Sequence, residues 1–155
     1  MKEGRKMSEI HKWTKKNYER AGYEPIYDDE NKAIIVEREE EGMNVVQVTN
    51  VVDNTVIFTT GTTVAVDHNE LMNMLERIAK VNDAMNNGCF ETDPNGTGEK
   101  YVCYRSSFCV NDNDIVSFKT FKRHVKMGFE AMKRHAKDLI PESKVPTSVK
   151  NTMYG

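Results

Sequence analysis

Residues 33–60 read AIIVEREEEGMNVVQVTNVVDNTVIFTT, and this stretch decides the fold. Three runs rich in β-branched residues follow one another: Ala33–Arg38, Asn44–Asn50 and Asn54–Thr60. The breaks between them are Glu40-Glu41-Gly42 and Asp53-Asn54, which are turn chemistry. Breaks this short join antiparallel neighbours and are too short for the crossover that parallel strands need. The stretch therefore predicts an antiparallel meander, with Val46 and Val48 on one side of its middle strand.

Outward from the meander the periodicity changes. Upstream, Ser8 can cap a helix running to Ala21, with Ile10, Trp13, Tyr18 and Ala21 spaced for one face and Gly22 placed to end it in a left-handed conformation. Residues Tyr23–Tyr27 and the turn-like Asp28–Asn31 then lead into the first strand. Downstream, Asp67 and Glu70 have the capping-box spacing for a second helix that ends by Gly88. Leu71, Leu75, Ile78 and Met85 form its apolar stripe, and Met72, Met74, Ala79 and Val81 widen that stripe beyond what one packing face needs.

Cys89–Asp93 and Glu99–Phe108 read as a hairpin about the Asp93–Gly98 turn. Ser117 can cap a third helix that ends before Pro141. Its seam is Phe118, Phe121, Val125, Gly128, Phe129, Met132, Ala136 and Leu139. The expected architecture is α+β in the order α-βββ-α-ββ-α, an antiparallel sheet of about five strands with three helices on one face. Residues 1–140 are expected to form one domain. Residues 141–155, with two prolines and no apolar period, are expected to be a mobile tail.

Composition narrows the function classes. With 155 residues, 38% hydrophobic and 30% charged, the chain suits one soluble domain. No apolar run approaches the roughly 20 residues of a membrane span, and no signal-peptide core follows the basic N-terminus. The odd set Cys89, Cys103 and Cys109 reads as reduced thiols in a cytoplasm. The net charge of −2 is unevenly spread: residues 1–22 carry +4, residues 23–114 carry −12, residues 115–140 carry +5 and the tail +1. Two basic ends around an acidic middle favour attraction within one fold over a nucleic-acid surface.

No catalytic or cofactor signature stands out. A calcium loop opening at Asp93 would need a bidentate ligand at its twelfth position, where Tyr104 stands. Cys103 and Cys109, or His124 and His135, lack zinc spacing. No phosphate loop, dinucleotide fingerprint or nucleophile elbow is present. The third helix carries Lys119, Lys122, Arg123, Lys126, Lys133, Arg134 and Lys137 away from its seam, with its aromatics on the seam and so assigned to the core.

The layout resembles the YbjN-like family, the bacterial sensory transduction regulators, whose fold is similar to that of type III secretion chaperones. The residues that carry the resemblance run from Trp13 to Leu139. They are Tyr18-Glu19-Arg20-Ala21-Gly22-Tyr23, Val45-Val46-Gln47-Val48, Ile78-Ala79-Lys80-Val81-Asn82, Gly88-Cys89-Phe90-Glu91-Thr92-Asp93 and the pattern Phe121, Val125, Met132. The family brings no catalytic motif and no cofactor. It implies a homodimer-prone binding fold with a regulatory or chaperone-like role in a bacterium. The basic, Pro-containing tail departs from it. The expectation is therefore a non-catalytic cytoplasmic module that binds another protein or peptide as a homodimer, with contacts from Leu71, Met72, Leu75, Ile78 and Met85. The alternative is a nucleic-acid-associated factor using the third helix.

Overall fold

Ser8 accepts the His11 N–H at 3.2 Å and starts the first helix, α1 (Glu9–Arg20). The helix stops at Gly22, which adopts φ 94°. The Gly22 N–H bonds the Glu19 carbonyl and the Tyr23 N–H reaches back to Tyr18, the paired closure of a Schellman motif. The computed structural model describes residues 8–40, 42–65, 68–83, 85, 88–92, 101–110 and 117–139. The expected Asp67 cap, the Asp93–Gly98 turn and the tail 141–155 lie outside them.

The sheet has six strands: β1 (Ile26–Asp28), β2 (Ala33–Glu40), β3 (Met43–Val52), β4 (Thr55–Ala65), β5 (Cys89–Glu91) and β6 (Tyr101–Cys109). Their order across the sheet is β1-β2-β3-β4-β6-β5, antiparallel throughout. The meander stands as expected. Glu40 pairs with Met43 and Val52 with Thr55 across two-residue connections, where Gly42 (φ 82°) and Asp53 (φ 54°) take the left-handed conformation. The strand count rises by one because Tyr23–Tyr27 is not all loop. Ile26–Asp28 adds an edge strand to β2, and three residues are too few to show alternation.

Helix α2 (Leu71–Asp83) follows a short 3₁₀ turn at His68–Glu70, and α3 (Phe118–Leu139) begins where Ser117 Oγ accepts the Thr120 N–H. The core lies between the helices and one sheet face. It centres on Phe121, which is fully buried, with the rings of Tyr18, Trp13 and Phe58 at 5.0, 5.5 and 5.7 Å. Phe118 departs from the expected core seam. It is half-buried, with the Arg20 guanidinium 4.1 Å above its ring. On α1 the most buried positions are His11, Thr14, Asn17 and Tyr18, and the expected Ile10, Trp13 and Ala21 are only half-buried. The rotation is held by a polar partner outside the helix, the Lys32 carbonyl, to which the His11 Nε2–H donates at 3.0 Å, while the buried Thr14 hydroxyl is satisfied within the helix by donating to the Ile10 carbonyl.

The inner face of β3 is not the valine side. Val45, Gln47 and Thr49 point inward, and Val46 and Val48 are half-exposed on the opposite face. Gln47 is fully buried and fully satisfied. Its Oε1 accepts the Tyr18 hydroxyl at 2.5 Å, and its Nε2 donates to Thr60 Oγ1 (2.9 Å) and to the Val125 carbonyl of α3 (3.1 Å). Thr49 Oγ1 completes the network 2.6 Å from the Tyr18 oxygen. Burial pushes the Tyr18 phenol far above its ordinary pKa, so it stays a hydrogen-bond donor. A satisfied network of this kind costs little to bury and fixes how α1, α3 and the sheet meet.

Candidate interaction surface

Helix α2 turns Met74 and Ile78 into the core, at 1% and 6% exposure. At about 100° per residue, its apolar arc runs from Val81 through Met74, Ile78, Leu71, Leu75 and Ala79 to Met72, roughly 180° of the helix. A helix packed on one side needs little more than half of that. The surplus falls outside: Met72 is 69% and Leu75 41% exposed, and Ala79 is exposed beside them. These three sit at i, i+3 and i+7 and form one ridge.

The five residues expected at an interface thus divide. Met72 and Leu75 stand on the ridge, Leu71 and Met85 are half-buried on its inner flank, and Ile78 belongs to the core. The expected stripe placed Leu75 inward in place of Met74. Apolar residues fill half the helix circumference, so periodicity alone does not orient it. Between α2 and α3 runs an open groove of about 720 Å³, with Val81, Met85, Met127 and Ala131 as its apolar wall and Lys80 and Arg134 at its rim.

A second arrangement could not be read from spacing. The Asn82 side chain clamps the outer edge of β5: Phe90 N–H donates to Asn82 Oδ1 (2.7 Å) and Asn82 Nδ2 donates to the Phe90 carbonyl (2.9 Å). A side-chain amide thus satisfies the strand's outward pair and blocks further pairing there. Only the eight-residue gap between a helical Asn and a strand hints at it.

The candidate nucleophiles and ligands disperse. Cys89 and Cys109 are exposed and Cys103 is buried, all as free thiols. Burial pushes the Cys103 thiol up to about 12, with the Glu91 carboxylate adding to the shift, so it stays protonated and unreactive. His124 bonds Ser106 Oγ at 3.1 Å and stacks on Phe58, and His135 meets the Phe90 ring edge-on. Among the described residues no group of three or more His, Cys, Asp or Glu could hold a metal ion, and no helix is long and apolar enough to cross a membrane. On α3, Lys119, Lys122, Arg123, Lys126, Lys133 and Arg134 are all exposed.

No protein-family model matches the chain, and no curated protein sequence does. Among solved structures it is similar to the crystal structure of YbjN from E. coli, a protein put forward as a transcription regulator. The match covers 79% of this chain and 85% of that one, with a TM-score of 0.61 and 11% sequence identity. The resemblance read from the sequence therefore holds at the level of architecture: the chain has the fold of YbjN.

Proposed function

We propose that this chain is a non-catalytic protein-binding module, regulatory or chaperone-like, that works as a homodimer through α2. The observation that carries the reading is the exposed ridge Met72–Leu75–Ala79 on a helix whose inner face is already filled by Met74 and Ile78. Exposed apolar side chains aligned on one helix face mark an association surface. Methionine suits it because the flexible thioether repacks against different partners. The likeness to YbjN, put forward as a regulator, supports a regulatory role. The free thiols suit a cytoplasmic setting. Residues 1–140 serve as the domain, and the tail 141–155 is dispensable for its folding.

One observation favours a second reading. The exposed cations of α3 form a basic strip, and a regulator of transcription could use such a strip on phosphates. Against it, Phe118 is covered by Arg20 and offers no free stacking platform beside the cations. Fluorescence-anisotropy titration of mixed-sequence DNA and RNA, at low and physiological salt, separates the two. The protein-binding reading expects nothing tighter than the non-specific range of roughly 10⁻⁴–10⁻⁶ M at physiological salt. Submicromolar affinity that collapses when Lys119, Lys122, Lys126 and Lys133 become Gln would put nucleic acid first.

A further inference from the structure

Among the described residues, strand β5 pairs with β6 only from Cys103 to Arg105, so residues 106–109 of β6 pair with β4 on one side and have no described strand on the β5 side. The direction of its free groups follows from its neighbours. Residues along a strand present their N–H and C=O alternately to its two edges. The Val110 N–H bonds the Asn54 carbonyl on the β4 side. The outward-turned Phe90 pair, held by Asn82, shows that Cys89 and Glu91 are the residues facing β6, where they meet Arg105 and Cys103. Odd-numbered β6 residues therefore point toward β5, and the backbone groups of Ser107 and Cys109 face the open side beyond its end.

That open edge borders a cleft of about 440 Å³ lined by Arg105, Ser106, Ser107, Arg123, His124 and Met127, together with Gly88 and Cys89. The lining holds two arginines and a histidine and no carboxylate. Arg123 makes no ion pair among the described residues, and the Glu91 partner of Arg105 stands 3.7 Å away. Burial, with the charge of Arg123 added, holds the His124 imidazole below its ordinary pKa, as expected beside an uncompensated cation. Gly88, just before β5, takes the left-handed conformation at φ 66°.

We infer that the 106–109 edge of β6 is a docking site for an extended acidic peptide segment of a partner protein. The inference rests on the protein-binding reading and names a site and a chemistry for it. The segment adds as a strand: its backbone pairs with Ser107 and Cys109, and its alternate side chains face Arg123, His124 and Met127 on one side and Arg105 on the other. Backbone pairing supplies affinity, and carboxylates opposite the arginines supply selectivity.

The probe is a fluorescein-labelled octapeptide alternating valine with glutamate, with two controls: glutamine in place of glutamate, and the glutamate peptide N-methylated at alternate amides so that it cannot pair. Anisotropy titration should show the glutamate peptide binding roughly tenfold tighter than either control, a difference of about 1.4 kcal/mol. Arg123→Glu should abolish the preference for glutamate over glutamine. Ser107→Pro removes only an outward N–H, which an edge strand tolerates, and should weaken binding roughly tenfold with little change in melting temperature. Equal affinity for the three peptides, or a folded Ser107→Pro protein that binds as wild type does, would overturn the inference. If Ser107→Pro does not fold, the N-methylated peptide makes the same test on the unaltered protein. Loss of this site with dimerisation through Met72 and Leu75 intact would remove the edge inference alone.

Discussion

Phe129→Ala is expected to lower the free energy of unfolding by about 3–5 kcal/mol, the usual cost of emptying a buried phenylalanine site. Phe129 is 3% exposed at the middle of α3. Its ring stacks on Tyr23 at 5.8 Å and 10°, and the Arg38 guanidinium stands 5.9 Å from its centroid. Arg38 also donates to the Tyr23 hydroxyl at 3.2 Å, so truncation removes one member of a trio in which each side chain contacts the other two. Neighbours tied to β2 and to the end of α1 cannot collapse into the space without moving those elements. Urea denaturation should show a lower midpoint with an unchanged slope. A normal midpoint would show that this face of α3 is not packed on the sheet.

Gly128→Ala should be the next most damaging change, with a sign opposite to helix propensity. In an exposed helix interior, replacing Gly by Ala gains about 1 kcal/mol. At Gly128 a Cβ would overlap Thr60 Oγ1 and lie 2.7 Å from Gln47 Nε2 and 3.0 Å from Thr60 Cβ. Those are the groups through which the buried amide ties β4 and α3 together. To admit the methyl, α3 must lift from the sheet and stretch the bond from Gln47 to the Val125 carbonyl. Overpacking of this kind costs about 1–3 kcal/mol, and a stretched buried bond adds to it. The same denaturation experiment reads it. Unchanged or increased stability would mean that α3 does not approach the sheet this closely.

Much of the fold was legible because its local signals agree with its packing. Ser8, Gly22 and Ser117 mark helix ends by chemistry that acts within a few residues, and the structure uses all three. The turns at Gly42 and Asp53 fix the meander in the same way. The inner face of β3 was less legible because Gln47 and Thr49 occupy core positions that alternation assigns to apolar residues. Their burial depends on Tyr18 and Thr60, 29 and 13 positions away from Gln47. Strand β1 was hidden by its length, and the rotation of α2 by an apolar arc too wide to point in one direction. Within the candidate surface, Met72 and Leu75 were found by composition. The Asn82 clamp and the open β6 edge depend on strand register, which no sequence spacing carries.

The central claim is that α2 brings two copies together through its outer ridge. Sedimentation velocity of the wild type and of the double variant Met72→Glu, Leu75→Glu, both at micromolar concentration, tests it most directly. Neither side chain is buried, so the variant should keep the wild-type melting temperature. The account predicts a wild-type dimer and a variant monomer. A wild type that sediments as a monomer throughout, or a dimer that survives both substitutions, would contradict it.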